Sequence, residues 1–216
     1  MANHHWPLFD LEVRAARLSM RYIDDELGMA LATLATQGIH DPAVMPFASP
    51  WSRLESPQLE QRAMQFYWRC RAEMSPESWN INFAAIADDT VVGTSGLIAG
   101  DFARLRQFET GSWLGREYQG LGLGKEMRIA TLTLGFLGFG AEWATTGAWH
   151  DNAPSLGVTR SLGYTESGRR RAVRDDATAD VLIGFEMSRE HFETAVRRDD
   201  IELIGVDPVK ELLEIP

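Results

Sequence analysis

Gly111-Ser112-Trp113-Leu114-Gly115-Arg116-Glu117-Tyr118-Gln119-Gly120-Leu121-Gly122-Leu123-Gly124-Lys125-Glu126-Met127 reads as a strand, a glycine loop and the start of a helix. The run Phe108 to Leu114 is apolar and aromatic enough for a strand. Gly120, Gly122 and Gly124 alternate with leucines, and from Lys125 onward Met127, Ala130, Leu134 and Leu137 fall on one helical face at three- and four-residue steps. A glycine turn feeding a helix N-terminus leaves backbone N–H groups pointing one way without partners, with the positive end of the helix dipole behind them. Such a site holds a phosphate or pyrophosphate, and glycines let the backbone approach it with no Cβ in the way.

Two common phosphate loops do not fit. Counted from Gly120, the dinucleotide pattern G-x-G-x-x-G would need its third glycine at Lys125. The nucleotide loop G-x-x-x-x-G-K-[ST] would need a glycine at Gln119 and a hydroxyl at Glu126. The pattern that does fit is Q/R-x-x-G-x-G/A, carried by Gln119, Gly122 and Gly124. This resembles the acyl-CoA pyrophosphate loop of the GNAT superfamily of N-acyltransferases.

Composition bounds the rest. A chain of 216 residues is one domain, with a core over 11–196 and a C-terminal extension over 197–216. No apolar run is long enough to span a bilayer, and Met1-Ala2-Asn3-His4-His5-Trp6 lacks the layout of a signal peptide. A single cysteine, Cys70, excludes an intrachain disulfide and argues against a cysteine metal site, so no metal and a cytoplasmic location are expected. The net charge of −10 speaks against nucleic-acid binding through a basic surface and is compatible with a cationic acceptor.

Along the chain, Leu11 to Tyr22 reads as one or two strands, and Asp24 to Gln37 as a helix with acidic residues at its start. The loop Gly38 to Trp51 carries three prolines with Phe47 and Trp51 as apolar anchors; it shapes a pocket or packs over the core. Ser56 to Met74 reads as a second helix, capped by Ser56-Pro57, with Leu59, Ala63, Phe66 and Cys70 as its buried stripe. Trp79 to Ala87 and Thr90 to Ile98 form a hairpin about Asp88-Asp89, and Asp101 to Arg106 is a loop. After the long helix come a strand, Ala141 to Trp149, and a helix ending at Gly163 in a left-handed conformation. Tyr164 to Arg170 and Ala179 to Met187 close the domain as a strand pair, joined by a solvated charged loop from Arg169-Arg170-Arg171 to Asp175-Asp176. The tail's Ile201, Leu203, Ile204, Val206, Leu212 and Leu213 pack on the domain or on a second subunit. The order of elements is mixed α/β with much antiparallel character.

Further segments carry the resemblance. Asn152-x-x-Ser155-x-x-Val158-x-x-x-Leu162-Gly163-Tyr164 is similar to the N-x-x-S/A segment of the same superfamily. Arg17-Leu18-x-Met20-Arg21 and Glu109-x-Gly111-x-Trp113-Leu114 resemble the ribosomal-protein N-terminal acetyltransferase branch, of RimJ and RimL type. The segments His5 to Leu11, His40 to Phe47 and Gly111 to Gly115 look like a small actinobacterial branch that can use succinyl-CoA. The resemblance implies the GNAT fold: a twisted, mostly antiparallel sheet of about seven strands with a splayed central pair, flanked by about four helices.

It also implies roles. The co-substrate would be acetyl-CoA or succinyl-CoA, with its pantetheine arm held by main-chain groups of Trp113 and Leu114. The N–H groups of Gln119, Gly120, Leu121, Gly122, Leu123 and Gly124 would hold the pyrophosphate, with Lys125 as counter-charge. Asn152 would contact the arm from the opposite side, or serve only as an N-cap. Acyl transfer to an amine needs the amine neutral, the carbonyl polarised and the leaving thiolate protonated. Glu109, on one face with Gly111 and Trp113, is the candidate base, the alternative being a structural or solvent-facing carboxylate. The superfamily's usual tyrosine acid falls at Thr159, which leaves Ser155 as the branch's alternative. His150 lies near the site and reads as structural; His40, Arg160 or backbone amides would meet a succinyl carboxylate. The amine acceptor stays open among a protein N-terminus, a lysine and a small amine. The other class to weigh is a CoA-binding module without catalysis.

Overall fold

A computed structural model of the chain describes residues 3–175 and 178–216. The sheet starts with a short antiparallel hairpin, β1 (Glu12–Arg14) and β2 (Ser19–Tyr22). Two helices follow, α1 (Asp25–Thr36) and α2 (Gln58–Ala72). Asp24 caps α1, its carboxylate accepting from the Leu27 N–H at 2.8 Å. The long strands β3 (Ser78–Ala87) and β4 (Thr90–Gly100) turn at Asp88 and Asp89, both left-handed. One helical turn, α3 (Phe102–Leu105), leads into β5 (Gln107–Leu114) and then α4 (Leu123–Thr133), whose axis continues as a wider turn to Gly138. β6 (Trp143–Trp149), α5 (Ala153–Ser161), β7 (Thr165–Arg174), β8 (Thr178–Ser188) and α6 (Arg189–His191) follow. The tail forms β9 (Glu202–Ile204) and α7 (Val206–Leu212).

Among the described residues, nine strands make one sheet in the order β7-β8-β6-β5-β4-β3-β2-β1-β9. Every neighbouring pair is antiparallel except β5 and β6, which run parallel only from Gln107↔Trp143 to Glu109↔Thr145. Beyond that point β5 stays with β4 as far as Leu114↔Gly93, and β6 stays with β8 as far as Trp149↔Leu182. The two strands therefore part in the middle of the sheet. Helix α4 lies on one face, where the Phe108 ring packs against Gly135 and Phe136. Helices α1 and α2 lie on the other, with Trp113 packed among their residues.

The expected architecture holds, with more elements than about seven strands and four helices. The added strand and helices are short: β9, α3, α6 and α7 carry too few residues to show a period. α3 replaces the loop expected at Asp101 to Arg106, held by buried Phe102 against Trp79 and flanked by left-handed Asp101 and Arg106. Arg171 to Arg174 belong to strand β7 rather than to a loop, paired with Thr178 to Val181 of β8. The far end of that expected loop, at Asp176, lies outside the described residues. In α2 the buried stripe is Leu59, Ala63, Met64 and Tyr67, while Phe66 is exposed and Cys70 half-buried. Met64 packs over Gly28 of α1, and this helix contact turns α2 away from the expected face. Ser56 does not cap α2; its hydroxyl donates to the Glu60 carboxylate instead. Gly163 ends α5 at φ +78, as read from the sequence.

Candidate active site

The glycine loop is held open from both sides. Gly120 and Gly122 have φ of +76 and +82, and Gly122 is the N-cap of α4. Among the described residues, none of the N–H groups of Gly120, Leu121, Gly122, Leu123, Gly124 and Lys125 has an acceptor. The Gln119 N–H differs: it closes a turn onto the Arg116 carbonyl at 3.2 Å. Its side chain is structural too, donating to the carbonyls of Ile39 at 2.8 Å and Leu114 at 2.9 Å. Gln119 thereby ties the end of β5 to the loop after α1. Arg17 braces the loop from the β1–β2 turn, donating from Nη1 to the Leu121 carbonyl at 3.0 Å and from Nε to Glu126 at 2.6 Å. Glu126 is buried, and its other oxygen takes the Arg17 N–H at 3.0 Å. Arg17, more than Lys125, sets a guanidinium beside the free N–H groups; Lys125 reaches the Ser161 carbonyl at the end of α5 at 3.3 Å.

Alternation along β5 sorts the parting of the strands into two faces. Phe108, Thr110, Ser112 and Leu114 turn toward α4, while Glu109, Gly111 and Trp113 turn toward α1 and α2. The main chain alternates as well. The Gly115 N–H donates to Val92 of β4 at 3.0 Å, and Trp113 lies opposite Thr94 in that ladder. Ser112 and Leu114 therefore direct their main-chain groups toward the opening, with the Leu114 carbonyl already taken by Gln119. The opening is bridged at its base by Thr146 Oγ1 donating to the Thr110 carbonyl at 2.9 Å. On the α4 side Arg128 spans it, with Nη1 to Thr146 Oγ1 and Nη2 to Ser112 Oγ, both at 3.2 Å.

Glu109 lines a cleft of about 360 Å³ on the other face, with Thr145, Gly147, Ser167, Arg169 and Arg170. On the same side of the sheet the proline loop forms an ordered wall: Trp113, Trp51, Phe47 and His40 pack ring against ring in sequence, tilted or edge-on, at 6.1, 5.3 and 5.8 Å between centroids. Arg174 locks that wall to the β7–β8 hairpin. Its buried guanidinium donates to the Met45 carbonyl at 2.7 Å, to Asp151 at 2.9 Å and to Asp180 at 2.7 Å, and lies 5.2 Å from the Trp149 ring centre. The hydrogen bond from Arg174, then that from the Val181 N–H, holds the Asp180 carboxyl below its ordinary range.

The remaining sequence candidates divide. Asn152 caps α5, its Oδ1 accepting from the Ser155 N–H at 3.2 Å, while Ser155 itself is half-buried in the first turn. Thr159 is fully buried and, among the described residues, its hydroxyl has no partner, so it does not take the place of an exposed acid. His150 pairs with Asp180 at 3.1 Å beside the Arg174 knot. His40 uses both ring nitrogens inside its own loop, at 2.7 Å to the Asp41 carbonyl and 2.7 Å to the Ser52 hydroxyl. Arg160 lies exposed in the last turn of α5. Arg128 and Arg174 escaped the sequence reading. An arginine in a helix or a charged strand reads as a solvated face, and neither carries a local signal of burial.

A central parallel pair that parts above a glycine-rich helix start defines the architecture of CoA-thioester acyltransferases. The chain belongs to the GNAT acetyltransferases: the family described as acetyltransferase (GNAT) domain matches residues 17–165. Similar folds include Mycobacterium smegmatis RimJ in complex with CoA-disulfide, at TM-score 0.68 and 17% identity over 87% of this chain and 89% of that one. The RimL ribosomal L7/L12 alpha-N-protein acetyltransferase in complex with coenzyme A has a TM-score of 0.67 at 14% identity, covering 81% of this chain and 95% of that one. The ribosomal-protein-S5-alanine acetyltransferase from Vibrio fischeri has 0.66 at 16% identity, covering 84% and 98%. Among the described residues, no helix is long and apolar enough to cross a membrane.

Proposed function

We propose that this chain is an N-acyltransferase that moves an acetyl or succinyl group from CoA to a primary amine. The observation that carries the reading is the row of acceptor-free N–H groups from Gly120 to Lys125 beside the parting of β5 and β6. Unpaired donors in a glycine turn and the helix start that follows it suit a pyrophosphate, and the opening next to them suits the arm that leads to a thioester. Ser112 and Leu114 would meet that arm with their main-chain groups, and Asn152 would keep its amide N–H for it. Acyl-CoA supplies the activated carbonyl; the amine nitrogen attacks it, a C–N bond forms, the C–S bond breaks, and CoA leaves as a thiolate that gains a proton.

Glu109 sits on the opposite face of the opening, in the cleft where an amine would arrive. Its carboxylate would take the proton that the amine loses, directly or through water. Ser155 would offer a hydrogen bond to the leaving thiolate. Two structural neighbours are named for acting on ribosomal proteins, which makes a protein α-amine the acceptor to test first. Burial of Thr159 at the position of the usual acid favours a second reading, CoA binding without chemistry. Turnover by the parent protein decides between the two, and Glu109→Gln tests the base. For an enzyme, turnover should fall by about a hundredfold or more at neutral pH with acyl-CoA affinity little changed. Unchanged turnover removes Glu109 from the role of base, and no turnover in the parent protein with any amine leaves the binding module.

A further inference from the structure

The cleft that holds Glu109 carries opposite charges at its two ends. Glu109↔Thr145 and Thr145↔Glu186 form one rung across β5, β6 and β8, so two carboxylates share one end on the face toward α1 and α2. Two residues further along, Gly147, Gly184 and Gly168 lie side by side on β6, β8 and β7. The next rung on that face carries Leu182 and Arg170. Arg170 lines the cleft, is exposed, and among the described residues has no carboxylate within ion-pair distance. Its neighbours on β7 differ: Arg169 is paired with Glu166, and Arg174 with Asp151 and Asp180.

Between the two ends the floor is bare main chain. Neither Gly147 nor Gly184 has a left-handed φ that would call for glycine. A Cβ on Gly147 would meet nothing nearer than the Leu182 methyls at 3.7 Å, and one on Gly184 would meet only the Ser167 hydroxyl closer than that, at 3.1 Å. Glycine weakens a strand interior, and there it marks a place where a ligand or another backbone comes close. The main chains at Glu109 and Arg170 stand two rungs and three strand spacings apart, roughly 19 Å, of which the two side chains reaching inward leave about half. A free α-amino acid is too short for that gap, because its amine and its carboxylate share one carbon. The α-amine of a peptide and an acidic side chain at its second or third residue span it, and an extended main chain lies flat on glycines.

We propose that the acceptor is a peptide α-amine followed by an acidic residue at the second or third position, with the anion seated on Arg170 and the amine at Glu109. This rests on the acyl-CoA reading above and adds the residue that selects the acceptor. The test uses the full chain, acetyl-CoA and succinyl-CoA as donors in parallel, and three peptides that differ only in carrying Glu, Gln or Lys at the second and third positions. The order of kcat/KM should be Glu, then Gln, then Lys. The first step should be about fivefold at low salt, carried by KM, and should shrink as salt rises, as an exposed ion pair requires. Arg170→Gln should level the Glu and Gln peptides, and Arg170→Glu should put the Lys peptide first. Arg171→Gln, on the opposite face of β7, should keep the parent order. Gly147→Val should raise KM for all three peptides without lowering the melting temperature, since valine suits a strand. Equal use of the three peptides by the parent overturns the inference, as does an acidic preference that survives in Arg170→Gln or an unchanged KM in Gly147→Val. Calorimetric binding of an acyl-CoA with no peptide acylated overturns the inference and leaves the CoA site standing; binding of neither thioester sinks both.

Discussion

Gly122 and Gly124 look alike in the sequence and do different work in the loop. Gly122 sits at φ +82, and a Cβ there would stand 3.2 Å from the Arg17 guanidinium. Gly124 is an ordinary helical residue whose Cβ would touch a Leu114 methyl at 3.5 Å. Gly122→Val should therefore strain the loop by roughly 1–2 kcal/mol and push Arg17 off Leu121, and calorimetry should show clearly weakened CoA binding. Gly124→Ala should bind CoA about as well as the parent and gain up to about 1 kcal/mol in helix stability. A loss of binding in the alanine variant as large as in the valine variant would contradict this division. Spacing in the sequence located both glycines, because a loop followed by a helix is local information. It did not locate Arg128. From Glu126 to Thr133 every residue of α4 is buried, including its outward face, where Arg17 and Arg198 approach Glu126. A helix covered on both sides has no solvated stripe, so its one internal arginine could not be told from a surface residue by periodicity. Cys70 shows the same limit. Its spacing puts it in the buried stripe of α2, yet it is half-buried, its ionisation pushed up by burial. Alkylation at pH 8 should accordingly be slower than for a free peptide cysteine.

At the scale of elements, the hairpin of β7 and β8 matters most. β7 is an edge strand, exposed at Arg169, Arg170 and Arg171, and charge there guards the edge against pairing with another chain. The same arginines made it resemble a loop in the sequence, since a strand solvated on both faces loses its alternation. Arg174 fixes the hairpin to the proline loop and to the turn before α5, although its two carboxylates are partly exposed. Arg174→Met should cost about 2–3 kcal/mol, less than a fully buried pair, and lower the melting temperature by several degrees. Turnover should suffer more than CoA affinity, because the cleft beside Glu109 loosens while the glycine loop does not. Acid should mimic the variant. The folded Asp180 carboxyl lies below its unfolded value of 3.8, so its stabilisation is complete above that pH and is lost as pH falls through the lower folded value. The protection factor of amides at the Met45 end of the loop, exchange corrected for its intrinsic pH dependence, should therefore stay level from pH 7 to about 4 and fall only below it. A loss of protection already at pH 6 would contradict the role of Asp180.

For the molecule as a whole, the tail is part of the sheet. β9 pairs with β1 from Glu12↔Ile204 to Arg14↔Glu202 and takes the edge that β1 would otherwise expose. Val209, Leu213 and Ile215 are buried in the main core, and Leu203 and Val206 pack on it. Of the two places that the sequence allowed for these apolar residues, the domain's own core is the one they occupy. A short strand and a short helix gave little to read locally, and the contact that fixes them joins residues nearly two hundred positions apart. At about 2 kcal/mol for each large side chain, the three buried residues alone contribute roughly 6 kcal/mol, an upper bound comparable to the net stability of a domain. Removal of residues 197–216 should thus do more than shorten the chain. It uncovers Leu8, Leu11 and Val13 at one end and the outward face of α4 at the other, where Arg198 approaches Glu126. The shortened chain should lose its cooperative thermal transition or aggregate, and a chain that keeps only the β9 residues, ending after Gly205, should recover little of the loss. A truncated chain that melts cooperatively within a few degrees of the parent would mean that the edge at β1 and the core beneath α7 are held by the rest of the fold without the tail.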